Sequence, residues 1–383
     1  MKQWICLFAA ASLLLVLGGC GGEAQPSEPA AQPLPQPSAQ AAELRVSDLQ
    51  DFLSDLDSSG GTLTFCGETE DTRPADAAIR ASDYLKELQG YTWETCQIPA
   101  EWDGKDCFRC AFTCGDSSLT SYQGGYQNNW PLHMVTESGE GWFTLSTTDA
   151  EPNSPAAQYK WMLFDTFERW YQESCAADLY RGDGTPLTVE ELTWFESYTD
   201  SETSFYDEQW GGFVGSATAI SCFFTSKYSD PRDMNASEFL QYCPSQGELT
   251  MEDEAEFQLI QKKLDWRVGE DSHLASIAEL PCPCHRLPRT YINNILTQYV
   301  GITVEEMHTD WREESFYLPE TDCFYSFTSD FGPGAFVPCY GERKGDMVTL
   351  WEAPNEYDEN TTDVLTLQKS GEQWHILSHQ AVM

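Results

Sequence analysis

The feature that most constrains this chain is its one long apolar run, Trp4 to Leu17, set behind Lys2 and closed by Gly18, Gly19 and Cys20. The run is shorter than the ~20 residues that a membrane-spanning helix needs. A positive start, an apolar middle and small residues at the end follow the plan of a cleaved export signal. No later segment offers ~18 consecutive apolar residues, so the remainder is expected to fold outside the hydrocarbon of a bilayer. Glu23 to Ala42 comes next, with five prolines and Leu34 as its only large apolar side chain. Such a stretch buries too little apolar surface to offset its ordering entropy, and is expected to stay extended or disordered. At ~3 Å per residue in a polyproline-like form it reaches up to ~60 Å.

Leu17-Gly18-Gly19-Cys20, followed by small residues and a polar Pro-rich tail, resembles the lipobox of bacterial lipoproteins. The resemblance implies that residues 1–20 hold the signal peptide and lipobox. It also implies that Cys20 becomes the lipid-modified first residue of the mature chain. Residues 21–43 are then the tether, and the protein sits lipid-anchored on the extracytoplasmic face of a cell membrane.

Composition fits a folded protein on that side. The formal charge is −41, yet 13% of the residues are aromatic, so the chain is acidic without being disordered. A surface this negative repels nucleic acid and anionic headgroups, which argues against nucleic-acid partners. Of 14 cysteines, Cys6 and Cys20 belong to the leader and lipobox, which leaves twelve. An even number outside the membrane suggests disulfides, with buried thiols as the other outcome for some of them. Spacing leaves the connectivity open.

The roughly 340 residues beyond the tether are enough for two cores, placed here at 44–180 and 186–383. In the first, strands are expected at Thr62–Cys66, Thr92–Ile98, Asp106–Cys114, Ser118–Tyr126, Leu132–Glu137 and Trp142–Thr147. Helices are expected at Pro74–Leu88 and Pro155–Cys175, the second with an aromatic stripe of Trp161, Phe164, Phe167 and Tyr171. In the second region, capping boxes at Thr188/Glu191, Thr250/Asp253 and Thr303/Glu306 mark three helix starts. Further helices are expected at Ser237–Cys243 and at Arg289–Tyr299, the latter stopped by Gly301. From Asp322 on, period-two alternation predicts a meander of Cys323–Thr328, Phe336–Gly341, Met347–Trp351, Val364–Gln368 and Gln373–Ser378. The fold class is α+β: an N-terminal antiparallel sheet flanked by helices, then helices packed on an antiparallel meander.

Leu187-Thr-Val-Glu-Glu-Leu192, Phe224-Thr-Ser-Lys-Tyr-Ser-Asp-Pro231, Gly301-Ile-Thr-Val-Glu-Glu306 and Tyr317-Leu-Pro-Glu-Thr-Asp322 stand in order ahead of the closing hairpins. This half resembles a module of uncharacterised lipoproteins of clostridial, gut-type Firmicutes. The resemblance implies placement in the envelope of a single-membrane cell. It carries no activity and no catalytic residues.

Two groups of residues suggest ligands. Tyr122, Tyr126 and Trp130 lie among amides in Ser121–Trp130, a composition suited to stacking on sugars and bonding their hydroxyls, and Trp210 adds a further aromatic. Cys282, Cys284 and His285 could hold a soft ion, with Cys243 or His273 completing the shell. Against the metal reading, one intervening proline leaves little freedom to aim both sulfurs at one point. Cys107 and Cys110 lie three apart on an expected strand and so point to opposite faces. His375 and His379, four apart on a strand, are ~13 Å from each other and too distant to chelate. Asp183 is rejected as part of a calcium loop, because Leu179 and Arg181 would fall at ligand positions. The chain has no nucleophile elbow, zinc-protease helix, phosphate loop or dinucleotide fingerprint, and nothing in it calls for a cofactor. The reading is a non-catalytic surface binding or sensing protein. A carbohydrate-binding lipoprotein is the first alternative, and an unrecognised hydrolase or metal-handling envelope protein the second.

Overall fold

The computed structural model describes residues 42–67, 70–99, 102, 104, 107–123, 130–146, 162–207, 212–244, 247–263, 267–268, 272–273, 276–327, 334–354 and 361–383; for 204–207, 212–216, 267–268 and 272–273 this holds for the backbone alone.

In the N-terminal part, alternation between apolar and polar residues sets one sheet. Its strands are β1 (Ala42–Glu43), β2 (Thr62–Cys66), β3 (Glu70–Pro74), β4 (Trp93–Thr95), β5 (Arg109–Cys114), β6 (Ser117–Tyr122), β7 (Leu132–Thr136) and β8 (Gly139–Leu145). They run in the order β1-β8-β7-β6-β5-β2-β3, with β4 also on β8. All pairings are antiparallel except β1 on β8, so the sheet is mixed, against the purely antiparallel expectation. The two residues of β1 were counted in the 21–43 tether, yet they lie along β8, a pairing that no alternation could announce. Edge strand β3 was also unforeseen, since Glu70, Asp71, Thr72 and Arg73 offer no apolar face.

The register aligns Leu63, Phe112, Leu119 and Met134 in one row across four strands. That row faces three helices: α1 (Val46–Asp55), α2 (Ala81–Gly90) and α3 (Met162–Tyr180). Helix α3 buries Leu163, Phe164, Phe167, Trp170 and Tyr171 at three- and four-residue spacing. Trp170 is fully buried between Phe112 and Tyr84, and its indole N–H donates to the Ala75 carbonyl over 2.8 Å. Burying one such ring contributes about 2–3 kcal/mol, and the bond leaves no polar atom stranded. Helix α3 runs five residues beyond the expected Cys175, while residues 155–161 lie outside the described residues.

Beyond α3 the chain contributes β9 (Thr185–Pro186), α4 (Val189–Tyr198), the hairpin of β10 (Glu202–Asp207) and β11 (Gly212–Ala217), α5 (Ala236–Gln241) and α6 (Glu254–Lys263). Then follow β12 (Arg267–Val268), β13 (Ser272–His273), β14 (Cys284–Pro288), α7 (Arg289–Val300), α8 (Trp311–Glu314), β15 (Phe316–Leu318) and β16 (Cys323–Phe327). The chain closes with β17 (Tyr340–Lys344), β18 (Met347–Trp351), β19 (Thr362–Ser370) and β20 (Gln373–Val382). Thr188 caps α4 as a capping box, and Thr250 opens a turn that runs into α6. At Thr303 the box starts a single 3-10 turn, because the chain leaves helical geometry at Met307 and Asp310 caps α8 instead.

The closing sheet is antiparallel, in the order β20-β19-β18-β17-β9. Its inner face, Val348, Leu350, Leu365, Leu367 and Ile376, packs with Ile292, Ile295, Leu296 and Val300 of α7 in one core. The expected first strand of the meander departs from this sheet. Strand β16 instead pairs with β14 and β15, since Pro288 opposite Cys323 and Leu318 opposite Cys323 put it at the centre of a separate three-stranded sheet. Ala41–Met383 is one compact unit in which the regions 44–180 and 186–383 each carry a core. Ala176 and Ala177 of α3 pack on Tyr340 of β17 between the two. Arg80 adds a charged link, with Nε 2.8 Å from buried Glu173 and its two terminal nitrogens on Glu196 of α4.

Candidate functional site

The outer face of the N-terminal sheet carries a group of aromatic side chains. On β6, Leu119 and Ser121 point inward, which sends Thr120 and Tyr122 outward. The same alternation puts His133 outward on β7 and Trp142 outward on β8, where they are paired directly across the strands. Their rings stack, with centroids 4.0 Å apart and planes within 6°. Trp102 lies over this face, 5.2 Å from Tyr122 and 5.6 Å from Trp142, and Tyr122 is itself 5.7 Å from Trp142. Gly104 allows that approach: its φ is +64°, and a Cβ there would stand 2.4 Å from the Tyr122 ring. His133 Nε2 is 3.3 Å from a carboxylate oxygen of half-exposed Glu140. Burial against Trp142 nevertheless holds the His133 pKa below its usual value, with Glu140 pulling the other way. The result is an uncharged imidazole at neutral pH, beside the Glu140 side chain. Three aromatic rings, a neutral imidazole and a carboxylate suit apolar stacking combined with hydrogen bonding.

Of the aromatics singled out in the sequence, Tyr122 belongs to this group, although its own ring is almost wholly covered by Trp102 and Trp142. Trp130 does not. It takes a φ of 35° and turns its ring to Phe164 of α3, on the opposite side of the sheet. Tyr126 and Trp210 lie outside the described residues. Sequence reasoning missed Trp102, His133 and Trp142. The alternation Leu132-His133-Met134 and Trp142-Phe143 could have placed the last two on the outer face, had both faces been read.

The sulfur and imidazole candidates separate in the same way. Cys284 is buried with Leu249, Phe257 and Tyr325, and burial pushes its thiol up to about 12. His285, one position on, is on the other face of β14, its Nδ1 4.0 Å from Glu248. Cys282 precedes the strand and is partly exposed. Among the described residues, no three His, Cys, Asp or Glu side chains are grouped to hold a metal ion. Cys243 points into a different core from Cys284, and the His273 side chain lies outside the described residues.

One charged cluster was not legible beforehand. His379 on β20 is completely buried, ringed by Phe224, Tyr228 and Phe336. Its Nδ1 meets the Ser226 carbonyl at 2.9 Å and its Nε2 meets Lys227 Nζ at 3.0 Å. Lys227 also bonds Asp363 of β19. Burial works to raise the Asp363 pKa, yet His379 and Lys227 together hold the carboxyl below its usual range. Partly buried Glu352 accepts the Val337 N–H close by. Burial pushes Glu352 up to about 7; the Val337 bond opposes this and Asp363 adds to it. Both imidazole nitrogens are engaged within the fold, so His379 has no free position for a substrate. The cluster ties residues 226–228 to the last two strands.

No known protein family, curated protein or solved structure matches the chain.

Proposed function

We propose that this is a lipid-anchored, extracytoplasmic protein that works by binding at the cell surface and not by catalysis. The observation that carries the anchoring is the order Lys2, apolar run, Leu17-Gly18-Gly19-Cys20 and proline-rich tether. An acyl pair on Cys20 gives stable membrane attachment where a single chain gives only marginal attachment. The tether then holds an acidic globule clear of the headgroups, which repel it. Fractionation of cells expressing the full chain tests this. The wild type is expected in the membrane fraction, released by detergent and not by salt. Cys20→Ser is expected to lose acylation and lipid-dependent extraction. A wild-type protein that is soluble without detergent would overturn the anchoring.

Carbohydrate is the second reading, favoured by the aromatic face of Trp102, Tyr122, His133 and Trp142 beside Glu140. Stacking on a sugar ring needs one accessible aromatic plane, and alanine substitution of a stacking ring costs about 1–3 kcal/mol in comparable base-stacking sites. Trp142→Ala is therefore expected to reduce retention on a polysaccharide matrix at least tenfold, in a variant that circular dichroism shows to be folded. Equal retention of the variant and the wild type would sink the sugar reading while leaving the anchor untouched.

A further inference from the structure

We infer that Cys222 and Cys243 are joined by a disulfide in the mature protein, a cross-link that pins α5 to the 3-10 turn Ala219–Phe224. The inference rests on the extracytoplasmic placement proposed above, because that compartment supplies the oxidant. Both stand as thiols in this structure, at 1% and 5% exposure, in the same hydrophobic core. Cys222 is the group that acts most strongly on the Cys243 thiol, which makes the two side chains neighbours within that core. The segments that carry them are held together independently of the sulfurs. Phe223, next to Cys222, packs edge-on against Phe239 of α5 at 5.1 Å, and Phe239 packs in turn on buried Trp311 at 5.2 Å. No such pairing holds Cys282 and Cys284, where one is partly exposed and the other lies in a different core.

The chemistry balances with a protein disulfide as the oxidant. The thiolate of one cysteine attacks a sulfur of the donor disulfide, giving a mixed disulfide and releasing one donor thiol. The second cysteine then displaces the donor. One S–S bond forms here and one breaks in the donor, which leaves as a dithiol with the two electrons and two protons. In the closed core, the neighbouring Cys222 and burial hold the Cys243 thiol well above its usual pKa, so little Cys243 thiolate is present. Exchange therefore belongs to folding, before Phe223 and Phe239 close over the pair. Once formed, the bond is shielded from soluble reductants in the folded state and is reached by them on unfolding.

Two arms test this on the full chain. In the first, reduced and denatured protein is refolded in a glutathione redox buffer, then alkylated in denaturant and digested. The peptides holding Cys222 and Cys243 are expected to be linked to each other, 2 Da below the sum of their thiol forms. Both peptides alkylated, or either linked elsewhere, would overturn the pairing. In the second arm, protein is acid-quenched directly from the cells that export it and mapped in the same way. A pair that links on refolding yet is reduced in the quenched cells keeps the pairing and overturns the placement outside the membrane. Reduction with dithiothreitol is expected to lower the folded-to-unfolded ratio on the order of 100-fold in urea titrations, from the chain entropy released by a loop of this length. Cys222→Ala with Cys243→Ala is expected to remove that sensitivity, and an equal reductant effect in the double variant would contradict the link.

Discussion

At Glu352 a single carboxyl links pH to stability. In the unfolded chain it titrates at 4.5, and in the fold burial lifts it to about 7, helped by Asp363 and opposed by the Val337 N–H. The native state therefore binds more protons than the unfolded state between those two values. Ionising Glu352 costs stability that is lost in full above pH 7 and recovered as pH falls toward 4.5. Asp363 has the opposite sign, its carboxyl held below the usual range, so its contribution is present above the unfolded value and disappears only in acid. Between pH 6 and pH 8 Glu352 titrates and Asp363 does not. Urea titrations are expected to give a wild type more stable at pH 6 than at pH 8 by about 1.3 kcal/mol. Glu352→Gln keeps an acceptor for Val337 and is expected to flatten this dependence by stabilising the protein at pH 8. An unchanged slope in the variant would mean that another group carries it.

Among the elements, the end of α7 and the hairpin turns allow a comparison of two glycines. Gly301 closes α7 at φ +71°, and a Cβ there would meet the His375 ring at 2.8 Å. Gly345 turns β17 into β18 at φ +65° with open space around it. Both substitutions to alanine incur left-handed strain of about 1 kcal/mol. Only Gly301→Ala also displaces a packed ring, so it is expected to lower stability by about 1–2 kcal/mol more than Gly345→Ala. Equal midpoints in chemical unfolding would contradict the packing at α7. The stop at Gly301 and the capping boxes at Thr188 and Thr250 were legible in the sequence because the backbone chemistry is local. Met347–Trp351 and Thr62–Cys66 were legible because alternation is strong there. Edge strand β3 and the parallel entry of β1 were not, since neither has an apolar face. Strand β16 alternates as expected, yet its partners Cys284–Pro288 and Phe316–Leu318 are chosen by tertiary packing that no local pattern records.

For the whole molecule, the candidate site was only partly legible for the same reason. Tyr122 was drawn from a stretch of aromatics and amides, but Trp102 and Trp142 reach it from separate segments. Trp130, adjacent in sequence, is turned to the other side of the sheet. The cluster of Lys227, Asp363 and His379 likewise gathers residues more than 130 positions apart. Charge and compartment, by contrast, are properties of the chain as a whole. Acidity, the cysteine count and the proline-rich tract all take their meaning from what happens at Cys20. The most direct measurement is the mass of the N-terminal peptide of protein extracted from membranes of the producing cell. A chain that begins at Cys20 with an acylated glyceryl thioether is the predicted result, and an unmodified peptide that still begins at Met1 would contradict the account.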